Sequence, residues 1–210
     1  MVAQDAHSTS RDNIGRTALS APADPLSDLA PVELAQQLVE WNDTGVEVAP
    51  VTLSALVESA VERWSDRPAL LGAGGVVSFA ELESRANRLA RYLVGLGVGP
   101  ERVVALVLPR SAEVVVAQVA VVKAGGAYLP VDPDYPVERI AFMVADSRPV
   151  VVLTFASLVS RVPVVEGVPV VAVDAPGVVA EVAALSGALV SDVDRLSELS
   201  VDHAAYVIYT

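Results

Sequence analysis

An α/β fold, with a parallel-rich sheet layered between flanking helices, is predicted from residue 51 onward by three observations. Strand-like and helix-like segments alternate along the chain. Several strand-like segments, "RVVALVL" at 102–108 and "VVVLT" at 150–154, are near-continuous apolar runs, as a strand covered on both faces requires. The stretches between them are long enough for right-handed crossovers joining parallel neighbours.

Each element has a local justification. Residues 1 to about 30 are rich in Ser, Ala, Asp and Pro without an apolar period, which predicts a flexible leader. Together with the stretch up to Pro50 they are expected to make up a leader and linker over 1–50, ahead of the α/β portion at 51–210; the resemblance described below makes that linker an interdomain one. Within the linker, Leu34, Leu38 and Trp41 predict a short helix from Val32 to about Trp41. Leu53, Leu56, Val57, Ala60, Val61 and Trp64 fall at i, i+3, i+4, i+7, i+8 and i+11, one continuous apolar face, with Thr52 as N-cap. "ALLGAGGVVSF" predicts a hairpin with Gly72, Gly74 and Gly75 in its turn. A phosphate-cradling loop must feed a helix N-terminus, and this glycine-rich stretch feeds a second short strand.

"SFAELESRANRLARYLVGLG" has signals at both ends. Ser78 and Glu81 form a capping box, Leu82, Ala86, Leu89, Leu93 and Leu96 the apolar stripe, and Gly97 or Gly99 the left-handed terminus. Arg85, Arg88 and Arg91 lie on the other face, read as solvated. A strand at 102–108 precedes a helix capped by Ser111 and closed by Gly125, then the strand "GAYLPVD". "DPDYPVERIAFMVADSRP" gives a turn and a helix starting near Pro136. "VVVLT" and "PVVAVD" are further strands, 175–200 a helix and a polar loop, and "AYVIYT" a last, buried strand over Tyr206–Thr210.

Composition narrows the function classes. The chain has no cysteine, hence no disulfide framework or thiolate metal site, and a cytoplasmic setting is expected. No window of about 18 uncharged apolar residues suggests a membrane span, and no secretory signal opens the chain. The net charge of −12 disfavours nucleic acid as a partner, since binding it needs a basic face.

Individual candidates for chemistry are few. Lys123, the only lysine, sits in the last turn of a helix, where a cation complements the helix C-terminus. Asp132 and Asp134 have a carboxylate-pair reading and a turn-and-cap reading, and Pro133 and Pro136 favour the second. His7 lies in the leader and His203 precedes the last strand, neither with Cys or acidic neighbours at metal-ligand spacing. No Ser carries a nucleophile-elbow pattern.

Two motifs carry a resemblance. "SFAEL" at 78–82 and the longer "KAGGAYLPVDPDYPVERI" at 123–140 stand in a stretch, 76–154, that resembles the beginning of the amino-acid adenylation domain of nonribosomal peptide synthetases. The family has Thr-Tyr-x-Glu-Leu where this chain has "SFAEL". "LVEWNDT" at 38–44 resembles the segment joining an upstream condensation domain to the adenylation domain, and "AYVIYT" the strand that leads into the family's glycine-rich phosphate loop. The resemblance covers about 38 to 210. It implies the N-terminal part of the large subdomain of the adenylate-forming fold, incomplete and truncated before the phosphate loop.

The resemblance further implies activation of an amino acid by ATP to an aminoacyl adenylate. ATP and Mg2+ serve the intact enzyme, and the acyl group passes to a phosphopantetheine thiol on a downstream carrier domain. Thr210 matches the threonine at the edge of the phosphate loop and is the one cofactor-binding candidate, with no catalytic or metal-ligating residue assigned. Because the groups that surround the phosphates come later in the family, residues 1–210 alone are expected to be inactive and to hold no cofactor. Two alternatives stay open: a portion of a stand-alone acyl- or aryl-acid ligase, and a non-catalytic remnant or interaction module.

Overall fold

The computed structural model describes residues 30–72 and 74–210. The proposed leader and His7 therefore lie outside the described residues. The chain divides into two compact units, Met1–Val48 and Ala49–Thr210. In the first, helix α1 spans Pro31–Leu38, with proline in its first turn and the Glu33 carboxylate accepting a 3.0 Å bond from the Ala30 N–H. It tightens into a 3-10 turn over Glu40–Asn42, held by Asn42 Nδ2 donating to the Gln37 carbonyl at 2.7 Å. Its apolar residues Val32, Leu38, Val39 and Trp41 are exposed.

The second unit opens with α2, Leu53–Trp64, whose N-cap Thr52 accepts from the Ala55 N–H at 3.2 Å. An antiparallel hairpin follows, β1 at Pro68–Gly72 and β2 at Gly75–Ser78, with Gly72 opposite Gly75. Gly75 takes φ +106, which a Cβ would oppose. Helix α3 spans Phe79–Gly95. Ser78 caps it by accepting from the Glu81 N–H, but the return half of the box is not made; the Glu81 carboxylate lies 3.8 Å from Arg85 instead. Gly97, at φ +91, closes α3 with Val98 N–H bonding to Leu93 and Gly97 N–H to Val94, a Schellman ending.

The parallel sheet then builds up: β3 (Val103–Val107), α4 (Ala112–Lys123), β4 (Ala127–Val131), α5 (Val137–Ser147), β5 (Val151–Thr154), a 3-10 segment (Ala156–Arg161), β6 (Val170–Ala172) and α6 (Pro176–Ala184). Strand order is β4-β3-β5-β6, with every pair parallel. Each side of the sheet has its own core. Val104, Leu106, Val151 and Leu153 pack with α3 and α4. Ala105, Val107, Leu129 and Val152 pack with Ile140, Met143 and Val144 of α5. The strict alternation along β3 is what a two-faced sheet demands, and it explains why the sequence shows an unbroken apolar run.

Besides the half-made capping box, three expectations need correction. The arginine face of α3 is not simply solvated. Arg91 donates to the carbonyls of Ser186, Ala188 and Leu189 at 2.6–3.0 Å and pairs with Asp194 at 3.2 Å. Those loop carbonyls have no ladder to join, and a guanidinium supplies several donors in one plane. Lys123 does not project as a terminal cation. It is fully buried, with Nζ 3.0 Å from Glu58 and 2.8 Å from Glu83, tying α4 to α2 and α3. The α4 terminus is closed by Gly125 at φ +90 and by Arg195, whose Nε donates to the Lys123 carbonyl at 2.7 Å.

The third correction concerns Tyr206–Thr210. The segment runs parallel to β4 but makes a single bridge, Tyr128 to Tyr206. Tyr206 and Ile208 are 55% and 61% exposed, while Val207 and Tyr209 pack on the α5-side core. The rung after Tyr128 would need an N–H at position 130, which is proline. Among the described residues no helix is long and apolar enough to cross a membrane.

Candidate functional site

Parallel strands deliver their carboxyl ends to one side of a sheet, and open α/β sheets bind ligands there. In this chain β3 leaves through Leu108, Pro109 and Arg110, β4 through Asp132 and Pro133, and the last segment through Ile208–Thr210. A crevice of about 360 Å³ lies among them, lined by Leu108, Arg110, Gln118, Asp132, Tyr135 and Tyr209 among others. Its cation, Arg110, is exposed beside the Ser111 cap of α4.

One wall is a rigid turn. Asp132 Oδ1 accepts from the Asp134 N–H at 2.9 Å, an Asx-turn, so the first aspartate shapes the backbone. From the 3-10 segment after β5, Arg161 donates to the carbonyls of Pro133 at 2.8 Å and Tyr135 at 3.3 Å. Among the described residues no group of three His, Asp or Glu side chains is placed to hold a metal ion.

The other wall is the last segment, held by two aromatic anchors. Tyr206 packs on Tyr128 with ring centroids 5.8 Å apart. Tyr209 meets Phe142 edge-on at 5.9 Å and donates its hydroxyl to Asp146 at 2.6 Å. Arg139 stands 5.9 Å from the Tyr209 ring. Burial, and then the acceptor bond to the Asp146 carboxylate, push the Tyr209 phenol above its ordinary range, so it stays a neutral donor at neutral pH. Thr210 is exposed at the end of this segment. His203 is remote from the crevice's chemistry: its Nδ1 accepts from the Ser200 N–H at 3.0 Å, closing a turn.

A larger cavity, about 410 Å³, lies between α3, α4 and α6, walled by Val116, Val173, Val179 and Val182. Two of its charged groups, Arg85 and Glu113, are paired with each other at 3.2 Å. Burial raises the Glu113 carboxyl, but its own backbone N–H and Arg85 together outweigh that and hold it below the ordinary range.

Of the residues singled out from sequence, Thr210 and Asp132 both stand at the carboxyl-end side of the sheet, whereas Lys123 and His203 serve the scaffold. Arg161, Tyr209 and Pro130 were not singled out. A proline inside a strand pattern is the signal that was available for the last of these.

Residues 57–210 match the family model described as AMP-binding enzyme. A dimodular nonribosomal peptide synthase of Bacillus subtilis (strain 168) is 38% identical over 205 residues, which is 95% of this chain and 9% of that protein. Tyrocidine synthase 2 of Brevibacillus parabrevis is 43% identical, covering 77% of this chain and 5% of its own length. Novobiocin biosynthesis protein H of Streptomyces niveus is 41% identical over 76% of this chain and 26% of its own. The chain thus spans about a quarter or less of these curated relatives. Among solved structures, the nonribosomal peptide synthetase FmoA3 superimposes with a TM-score of 0.72 at 29% identity, over 81% of this chain and 17% of that one. It has also been solved in an AMPPNP-bound form, which superimposes with a TM-score of 0.71. By sequence and by sheet topology, the chain belongs to the AMP-binding enzyme family, as a portion of a nonribosomal peptide synthetase adenylation domain.

Proposed function

We propose that this chain forms the opening scaffold of an enzyme that activates an amino acid with ATP. In that reaction a carboxylate oxygen attacks the α-phosphorus, the bond to the β-phosphate oxygen breaks, and aminoacyl adenylate and pyrophosphate form. Two anions must meet, so the catalyst needs cationic and N–H donors around the phosphates and fixed geometry at the reacting atoms. The observation that carries the reading is the placement of Tyr206–Thr210. It runs parallel along the edge of β4 and delivers Thr210 to the carboxyl-end side of the sheet, beside the crevice.

In this reading Thr210 begins the loop that holds the ATP phosphates, its hydroxyl donating to a phosphate oxygen. The turn at Asp132–Tyr135, fastened by Arg161, and the aromatic anchors on Tyr206 and Tyr209 fix the walls between which that loop works. Mg2+ would offset phosphate charge in the assembled enzyme, but no described residue here is assigned to hold it. The same reading makes 1–50 a leader and linker following a condensation domain, and 51–210 the start of the adenylation domain. A carrier-domain phosphopantetheine thiol then takes the acyl group, in the cytoplasm.

The test is amino-acid-dependent exchange of pyrophosphate into ATP. A longer protein that continues through the nucleotide-binding parts is expected to exchange with at least one amino acid. Thr210→Ala in it is expected to lower exchange about tenfold or more, the scale of one lost transition-state donor. Residues 1–210 alone are expected to give none. Exchange by residues 1–210, or none by the longer protein with any amino acid or aryl acid, overturns the proposal.

A further inference from the structure

We infer that Pro130 is a positioning residue. It stops the backbone ladder between β4 and the last segment after one rung, so that Ile208–Thr210 is held by side chains and not by the sheet. The register shows where the stop falls. On β4, the odd-numbered residues turn their N–H and C=O toward β3, as the bond from Ala127 N–H to Arg102 shows. The even-numbered ones face the last segment. Tyr128 makes both of its bonds there, N–H to the Ala205 carbonyl at 3.1 Å and C=O from the Val207 N–H at 3.0 Å. In a parallel ladder the next pair would join residue 130 N–H to the Val207 carbonyl, and the Tyr209 N–H to the carbonyl of residue 130. Proline lacks the first donor, and neither bond forms.

The gap is not a parting of the two segments. Beyond it, Tyr209 still lies against the α5-side core and reaches Asp146 of α5. The chain therefore continues alongside the sheet, tethered at ring and hydroxyl, with its backbone unlatched beyond the Val207 N–H. Pro130 is itself exposed, so its ring fills no core space that would otherwise justify it. The consequence rests on the function proposed above. A phosphate-holding loop must accept ATP and release pyrophosphate, and a segment bonded rung by rung into a sheet cannot shift by a fraction of an ångström without breaking bonds. One held by two aromatic contacts can.

Amide hydrogen exchange on the 210-residue chain tests this without nucleotide. In the wild-type chain the Val207 amide, bonded to Tyr128, is expected to exchange at least tenfold more slowly than that of Tyr209. In Pro130→Val the new N–H completes the rung, and Tyr209 exchange is expected to slow tenfold or more toward the Val207 rate, with Val151 and Leu153 in the sheet interior unchanged. Tyr209→Phe, which keeps Pro130 and loses the hydroxyl tether, is expected to speed exchange at Tyr209 and Thr210. Wild-type Tyr209 exchanging as slowly as Val207 overturns the inference. So does a folded Pro130→Val or Pro130→Ala in which Tyr209 exchange is unchanged. If both variants lose the native circular dichroism, the proline is a folding requirement and the inference is also overturned. Failure of ATP exchange in the longer protein would sink the function proposed above and leave this result untouched.

Discussion

At the scale of single residues, Lys123 carries the largest local electrostatic stake. Its ammonium is buried and held by two carboxylates from two other helices. Ser54 adds a 2.7 Å bond to the same Glu58 oxygen, and Asn87 donates to the Gly187 carbonyl at 3.0 Å beside them. Removing one partner of such a cluster strands the others. Lys123→Met is expected to cost about 3–5 kcal/mol in urea unfolding, and adding Glu83→Gln and Glu58→Gln to it is expected to recover part of the loss. None of this is legible in the sequence. The partners are 65 and 40 residues away, and spacing rules reach only neighbours on the same element. Gly126 is a second sensitive position. A Cβ there would stand 2.7 Å from Val98 Cγ1 and 3.0 Å from the Arg102 carbonyl, so Gly126→Ala is expected to cost about 1–3 kcal/mol by the same measurement.

At the scale of elements, local chemistry made the helices and the hairpin legible. Ser78, Ser111 and Thr52 cap as their side chains predict, and Gly97 and Gly125 end α3 and α4 in the left-handed conformation. The last segment departs from the buried strand its sequence predicts because apolar content says nothing about which strand supplies the donors. The failure lay in Pro130, on a different element. The sequence marks 175–200 as a helix and a polar loop, but not how the loop is held, because Arg91, which bonds its carbonyls, lies about 95 residues earlier on α3. Arg91→Ala is therefore expected to expose this loop to limited proteolysis while β3 and β5 keep their amide protection.

The same loop carries a pH dependence whose sign is fixed. Backbone N–H donation from Ser191, with further help from the Ser191 hydroxyl and Arg91, holds the Asp194 carboxyl below its ordinary range. A depressed carboxyl contributes stability above its unfolded value, near pH 4, and loses it as pH falls through the lower folded value. Proteolytic protection of the loop is expected to be flat from pH 7 to about 5 and to fall at more acid pH. In Asp194→Asn the acid-dependent part of that fall should be smaller.

At the scale of the whole molecule, the parallel direction of the strands follows from alternation and crossover length, both visible in the sequence, whereas their order β4-β3-β5-β6 is set by packing that no local pattern shows. The two-faced burial of β3 and β5 follows from their unbroken apolar runs. The last segment presents the unpaired apolar edge that a terminal strand of this pattern implies: Tyr206 and Ile208 stand largely in solvent, and backbone bonding to β4 stops at Val207. Such an edge is an association surface. The net charge of −12 opposes self-contact at low ionic strength. Light scattering at increasing salt is expected to show growing association of the 210-residue chain, and Ile208→Lys is expected to suppress it. A chain that stays monomeric at high salt with Ile208 intact would contradict this.

The fastening of residues 186–195 onto α3 also sets an order of events during synthesis. Arg91 leaves the ribosome 95 residues before its first loop partner, Ser186. At translation speeds of about 5–20 residues per second, its guanidinium waits roughly 5–20 seconds for those carbonyls. During that interval α3, α4 and the first two parallel strands have time to settle. The late loop then arrives as a latch on a finished surface, not as a participant in making it.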